Sequence, residues 1–271
     1  MQESDTTGAS RDAWMAGDAY EDYMGRWSRP LARRFVEWLH AERSGHWLDV
    51  GCGTGALTST ICRLSEPSSV VACDPSEPFI EHARKTLTDG RVTFVAAGVD
   101  ALPTRPGGFD VIVSGLVLNF LTDTERVLST FRERLRRGGT IASYVWDYAD
   151  GMEWLRVFWD EAVASDPRAR AFDEGRRFPL CRSGALASAF RAAGLGQVDA
   201  DALEIPTVFT TFEDYWEPFL RGTGPAPGYV ASLDPERRAS LRERLRHRLP
   251  GGSDGRIQLR ARAWTVRGTA G

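Results

Sequence analysis

From about residue 28 to residue 146, short apolar runs alternate with amphipathic stretches. Ser28-Arg29-Pro30 reads as a helix start, after which Leu31, Phe35, Val36 and Leu39 recur on one face until Ser44-Gly45 ends the pattern. Trp47 to Val50 is a short apolar strand followed by three closely spaced glycines, and Ala56 to Leu64 is helical again. A second strand, Ser69 to Cys73, closes at Asp74-Pro75, with Ser76 placed to cap a helix whose first turn carries Glu77 and Pro78. Val92 to Ala96 and Phe109 to Ser114 supply two further strands. Asp123 to Arg136 reads as a helix with Val127, Leu128, Phe131 and Leu135 inward, and Gly138-Gly139 separates it from a fifth strand, Thr140 to Trp146. Continuous apolar strands alternating with helices predict an α/β fold, a parallel sheet covered on both faces by right-handed crossovers.

Beyond Asp150 the rhythm breaks. Glu153 to Ala164 and Ser183 to Ala193 are helical in pattern, separated by an irregular, Arg-rich stretch from Asp166 to Cys181 that reads as an insertion over the sheet. Gln197 to Phe209 and Ile257 to Arg267 are two more strands. Between them lie a Gly/Pro loop, Gly222 to Gly228, and a helix with Leu241, Leu245 and Leu249 four apart. The expected organisation is a single domain: N-terminal helices over residues 1–45, a core over 46–150, an inserted helical lid over 151–195 and C-terminal strands and helices over 196–267.

Composition narrows the partners. With 271 residues, 42% of them hydrophobic, the chain can bury a full core. Met1 to Ser10 is polar and no stretch approaches the ~18 to 20 apolar residues of a membrane span, so the expectation is a cytoplasmic protein without membrane contact. Cys52, Cys62, Cys73 and Cys181 have no CxxC spacing, which suggests neither disulfides nor a metal site. A net charge of -3 argues against nucleic acid as a partner. The basic run Arg237 to Arg248 is interrupted by Glu243 and reads as a solvated helix face, and a monomer or homodimer is expected.

In open α/β sheets ligands sit outside the carboxyl ends of the strands, so the residues just after each apolar run carry the chemistry. Gly51, Gly53 and Gly55 let the main chain turn from strand to helix and approach a ligand closely. Their GxGxG spacing differs from the GxGxxG of dinucleotide folds. Asp49, two residues before Gly51, is a poor neighbour for a pyrophosphate and a good one for an ammonium, which disfavours NAD. Asp74, at the end of the second strand, is placed to accept hydrogen bonds from two ribose hydroxyls of either cofactor.

At these residues the chain resembles the class I S-adenosylmethionine (SAM)-dependent methyltransferases, in particular the small-molecule branch of the ubiquinone and menaquinone biosynthesis type, over roughly Tyr20 to Asp147. Trp47-Leu48-Asp49-Val50-Gly51-Cys52-Gly53-Thr54-Gly55 is similar to the family's first motif and Asp74-Pro75-Ser76 to its second. Leu102-Pro103, Phe109-Asp110-Val111-Ile112-Val113-Ser114 and Arg137-Gly138-Gly139 follow in the family's order. The resemblance implies a Rossmann-like, seven-stranded sheet with its last strand antiparallel, SAM as cofactor and S-adenosylhomocysteine (SAH) as product. It places Asp49, Gly51, Cys52, Gly53, Asp74, Pro75, Gly98, Val99, Asp100 and Ser114 in the cofactor site. The family commonly has an aspartate on the adenine amine where this chain has Gly98. The Val99 backbone is left to bind adenine, and whether Asp100 substitutes for the missing carboxylate is open. Upstream, Tyr20 to Ser28 is similar to the segment that closes over SAM in relatives. Arg26 is thereby a candidate for the cofactor carboxylate, or else a surface arginine beside a core tryptophan. Tyr23 and Trp27 are candidates to lie against the sulfonium.

A sulfonium methyl is already activated, so orientation supplies most of the catalysis and a base is optional. None of His40, His46, His82 and His247 follows a strand on the ligand face. Asp147, after the fifth strand, is a candidate base or a solvated loop acid; Asn119, beyond the fourth, either orients the acceptor or caps a helix. The aromatic residues Trp146, Tyr148, Trp154, Phe158, Trp159, Tyr215, Trp216, Phe219 and Tyr229 are mostly core at this spacing and suggest an apolar or planar small-molecule acceptor. The reading is methyl transfer to such an acceptor. The alternatives are a SAM-fold binding or scaffold protein without transferase activity and an NAD(P)-dependent oxidoreductase.

Overall fold

The computed structural model describes residues 21–41, 44–221, 224–249, 251–252 and 254–271. Met1 to Tyr20 and the first two residues of the expected Gly222 to Gly228 loop therefore lie outside the described residues. Seven strands form one sheet: β1 (His46–Val50), β2 (Ser69–Asp74), β3 (Val92–Ala96), β4 (Phe109–Gly115), β5 (Leu135–Trp146), β6 (Gly196–Phe209) and β7 (Ile257–Thr269), in the order β3-β2-β1-β4-β5-β7-β6. The first five run parallel, and β7 is inserted antiparallel between β5 and β6. The chain thus steps from β1 outward through β2 and β3, then returns to start β4 on the other side of β1. That reversal opens a crevice at the carboxyl ends of β1 and β4, because the crossovers on either side leave in opposite directions. The α/β fold and the antiparallel last strand are those expected from the sequence.

The apolar stripe of α1 (Arg26–Leu39) buries Leu31, Ala32, Phe35, Val36 and Leu39 and closes one face of the sheet. This helix begins two residues before Ser28, because a π turn at Glu21–Gly25 runs directly into it and leaves Pro30 inside. The helices α2 (Ala56–Leu64), α3 (Glu77–Thr86) and α4 (Thr124–Arg134) follow β1, β2 and β4. α4 ends at Arg134, before the expected Arg136, and β5 already pairs with β4 at Leu135. The register shifts between Phe109 and Val111, and at Gly139 a Cβ would meet the Asp110 carbonyl oxygen at 2.9 Å, so a glycine is needed where this irregular crossing brings the backbones together.

The irregular stretch within 166–181 contains single turns, including α6 (Glu174–Arg177), between α5 (Glu153–Ser165) and α7 (Ala185–Ala192). After β6 come α8 (Phe212–Trp216), α9 (Pro225–Ser232) and α10 (Pro235–Arg248). α9 corrects the expected Gly/Pro loop: Pro225 and Pro227 fall in its first turn, where a missing N–H costs nothing. The arginines of α10 are paired with acids of neighbouring elements, Arg242 and Arg246 with Glu213, and Arg244 with Glu161. No helix among the described residues is long and apolar enough to cross a membrane.

Candidate functional site

A cavity of about 940 Å³ occupies the crevice at the carboxyl ends of β1, β2, β4 and β5. Its floor is the turn that follows β1. Gly51 and Cys52 both donate their N–H to the Cys73 carbonyl, at 2.8 and 3.0 Å, and Gly55 donates to Cys52, which folds the turn tightly onto β2. Gly51 has φ +75°, and a Cβ there would meet the Val117 methyl at 2.5 Å. Gly53, at φ +54°, has nothing within 4 Å of where a Cβ would stand, so its backbone faces open space in the cavity.

Two carboxylates bracket this turn. Asp49 is fully buried; its Oδ2 accepts from the Thr58 hydroxyl at 2.6 Å, and its Oδ1 has no protein donor among the described residues. Burial raises its pKa from 3.8 to about 7, against the opposing pull of the Thr58 hydrogen bond. Asp74 accepts from the Gly53 N–H at 3.1 Å and the Ser76 N–H at 2.8 Å, so its carboxylate is held by backbone donors and shares its position with the turn. Burial moves its pKa up, partly offset by these two bonds.

Next to Asp74 the cavity continues along Pro75, Phe79, Ala97, Gly98 and Val99. Gly98 is extended, at φ -91° and ψ -177°, and a Cβ would lie 3.8 Å from Pro75, so an aspartate would fit this backbone and the glycine is not a conformational requirement. The Asp100 carboxylate is exposed at the rim and ion-paired with Arg126.

The other half of the cavity is aromatic: Phe120, Tyr144, Trp146, Tyr148 and Phe178 line it together with Leu116, Asn119 and Arg177. Leu116 has φ +63°, an unfavourable conformation for a branched side chain, held by its N–H to the Tyr144 carbonyl at 2.8 Å. Asn119 lies in a short turn at Leu118–Phe120, and its Nδ2 is buried with no protein acceptor among the described residues. The cap of α4 is Asp123, which accepts from the Arg126 N–H, so capping does not explain Asn119.

Several residues expected in the site lie elsewhere. Arg26 is bound to Asp214 at 2.7 Å and stacked over Trp27 and Phe209, outside the cavity lining, because β6 and α8 reach across to cover α1. Tyr23 packs against Trp154 and Phe219, and Trp27 against Phe209; of this segment Met24 and Ser28 face the cavity instead. Ser114 is fully buried inside the sheet, its hydroxyl donating to the Val50 carbonyl at 2.9 Å. Asp147 is also buried, its Oδ2 accepting from Arg262 Nε at 2.8 Å and Nη2 at 2.6 Å, while Oδ1 accepts from the Asp150 N–H. An Asp147 bound in this way braces the β5–β7 junction and is not poised to take a proton from a ligand. Trp154, Phe158, Tyr215, Phe219 and Tyr229 stack on one another beneath α5, as in the Phe158–Phe219 pair with centroids 4.5 Å apart. Residues not singled out from the sequence, Thr58, Phe79, Phe120, Tyr144, Arg177 and Phe178, complete the site. Thr58 alone carried a signal, being the hydroxyl residue in the first turn of the helix that follows the glycines.

Cys52, Cys62, Cys73 and Cys181 are free and buried, and burial pushes the Cys52 thiol up, which disfavours a thiolate beside the turn. No group of three or more metal-ligating side chains occurs among the described residues.

Residues 48–141 match the methyltransferase domain family. The ubiquinone/menaquinone biosynthesis C-methyltransferase of Yersinia enterocolitica is 31% identical over 130 residues, 46% of this chain and 52% of that protein. The malonyl-[acyl-carrier protein] O-methyltransferase of Priestia megaterium is 27% identical over 94 residues, 35% of this chain and 34% of that one. The matches thus span about a third and about a half of these two relatives. A type II methyltransferase structure from Anaeromyxobacter dehalogenans superposes with a TM-score of 0.60 at 22% identity, covering 89% of this chain and 95% of that one. Phosphoethanolamine N-methyltransferase 2 of Haemonchus contortus, solved with phosphomonomethylethanolamine and SAH, superposes with a TM-score of 0.56 at 16% identity, covering 94% of this chain and 56% of that one. The fold is the Rossmann-like class I methyltransferase fold, and its central segment, residues 48–141, matches the methyltransferase domain family.

Two outcomes follow from the charges. Arg262→Ala leaves the Asp147 carboxylate buried without its partner and should lower unfolding free energy by about 3 to 5 kcal/mol in urea titrations; a loss below 1 kcal/mol would show that the pair is not a brace. Asp49, with a folded pKa of about 7 against an ordinary 3.8, fits the fold best when neutral. The stability this confers is complete below about pH 4 and is lost as pH rises through about 7. Buried Glu174, also raised to about 7, adds a slope of the same sign. The unfolding free energy of Asp49→Asn should therefore fall less steeply between pH 5 and 8 than that of the wild type, and coincident slopes would contradict the assignment.

Proposed function

We propose that this chain, whose residues 48–141 are a methyltransferase domain, transfers a methyl group from SAM to a small apolar or aromatic acceptor. The observation that carries this reading is the buried Asp49 Oδ1, which has no protein donor among the described residues and lies beside a glycine turn open to the cavity. A buried carboxylate oxygen demands a donor, and a ligand ammonium supplies one together with a compensating charge. A pyrophosphate at the same turn would face Asp49 and Asp74 and be repelled, which counts against a dinucleotide. The residues present therefore fit SAM.

In this reading the Gly51 to Gly55 turn and Asp49 hold the amino-acid end of the cofactor. Asp74, its carboxylate oriented by Gly53 and Ser76, takes the ribose hydroxyls. Adenine lies between Phe79 and Val99 and is read by backbone groups, since Gly98 offers no side chain and Asp100 is engaged by Arg126. When bound, SAM supplies an electrophilic methyl; the chain's contribution is to align the acceptor and exclude water. Asn119 Nδ2 has a hydrogen bond to give to an acceptor oxygen, and Phe120, Tyr144, Trp146 and Tyr148 form the apolar wall against which a planar acceptor rests. With Asp147 tied to Arg262, proximity and orientation carry the reaction.

Calorimetric titration of the purified protein should show micromolar binding of SAM and SAH and none of NADH, whereas binding of NADH alone would return the glycine turn to the oxidoreductases. Asp74→Ala should weaken SAM binding by about 1 to 3 kcal/mol through loss of the ribose contacts, and unchanged affinity in a folded variant would remove Asp74 from that role. Because Asp49 must ionise to meet a cation, SAM affinity should rise by up to about tenfold per pH unit towards pH 7 and then level off. A slope retained in full by Asp49→Asn would place the titrating group elsewhere.

A further inference from the structure

Beyond Asp74 the cavity is lined by bare backbone at a place where a side chain would fit. The segment after β3 runs Ala97-Gly98-Val99-Asp100-Ala101 and is pinned twice. The Ala97 N–H donates to the Asp74 carbonyl at 3.0 Å, and the Ala101 N–H donates to the Gly98 carbonyl at 3.1 Å, which closes the short turn Val99–Ala101. Gly98 is thereby held beside the residue assigned to the ribose, and it lines the cavity. We propose that the site is permissive at the 6-position of the purine: the chain accepts cofactors whose 6-amino group carries an alkyl or benzyl substituent with little loss of affinity, and Gly98 sets that tolerance. The proposal rests on the methyltransferase reading given above and names the range of cofactors the same site takes.

A carboxylate or amide at position 98 would do two things to a purine bound here. Its oxygen would accept from the exocyclic N–H, and its bulk would occupy the space next to that nitrogen, so a substituted amine would lose a hydrogen bond and clash. Gly98 does neither. Among the described residues, the one atom within 4 Å of where a Cβ would stand is the Pro75 Cβ, at 3.8 Å, so the space is open and a larger residue could enter it. The backbone there is extended, at φ -91° and ψ -177°, which every residue adopts. The glycine is therefore not demanded by the turn, and its effect is the room it leaves. Asp100, the one acid of this segment, is exposed and ion-paired with Arg126 of α4, so its carboxylate is engaged at the rim. Phe79 and Val99 offer contact to the faces of the base, whereas a substituent on the amine leaves from its edge.

Calorimetric titration of the full chain with SAH and with its N6-methyl and N6-benzyl derivatives tests this. The wild type should bind all three within about threefold of one another. Gly98→Asp should still bind SAH and should bind the N6-benzyl derivative about tenfold or more weakly than SAH, the scale of a lost hydrogen bond to a charged group. Gly98→Asn, which adds an acceptor without a further charge near Asp74, should discriminate in the same direction, and a melting curve for each variant establishes folding. Rejection of the N6-benzyl derivative by the wild type, by about tenfold or more, overturns the proposal. So does a folded Gly98→Asp or Gly98→Asn variant that binds SAH and keeps the wild-type ratio between the two ligands. Failure of the wild type to bind SAH at all is a separate result that removes the methyltransferase reading and this proposal with it.

Discussion

A carboxylate kept out of water sets the terms for the rest of the site. Asp49 stands at the end of β1, fully buried, with one oxygen held by Thr58 and the other unmatched by any protein donor among the described residues. Such a group costs folding energy unless it stays protonated or meets a cation, and its raised pKa expresses that cost. The surrounding structure is arranged to keep it there. Thr58 comes from the first turn of α2, the glycine turn is pinned to Cys73 at the end of β2, and Asp74 ties that turn to the next strand. The burial that raises the Asp49 pKa therefore weakens the fold as the pH approaches neutrality.

The topology decides where such a ligand can go. The change of direction between β1 and β4 opens the crevice, and the loop after β4 closes one side of it with Val117 packed against Gly51. Each half of the cavity then has its own chemistry. The half along β2 and β3 has acids and backbone groups, suited to a polar cationic cofactor. The half along β4 and β5 is lined by the rings of Phe120, Tyr144, Trp146 and Tyr148.

How much of this was legible in the chain depends on the range of the interactions involved. Asp49, Gly51, Gly53, Asp74 and Val99 all line the cavity as expected, since each follows a strand whose apolar run could be read directly. Arg26, Tyr23, Ser114 and Asp147 were also near strand ends or in a suggestive segment, yet their side chains are taken by partners distant in sequence: Asp214, Trp154, Val50 and Arg262. The Gly/Pro stretch that becomes α9 misled for a related reason, because two prolines and a glycine suit the first turn of a helix as well as a loop, and burial of Tyr229 and Val230 decides between them.

The sequence by itself determined the α/β alternation, the glycine turn, the two acids that flank it and the low net charge, because hydrophobic period, φ > 0 and strand-end position are local properties. Only the tertiary structure decided that Arg26 is spent in an ion pair with Asp214 outside the cavity, and which aromatic rings form a wall and which fill the core. Those outcomes depend on where β6, β7 and the single-turn α6 fold back onto β5, and contacts of such long sequence separation leave no periodic trace in the chain that makes them.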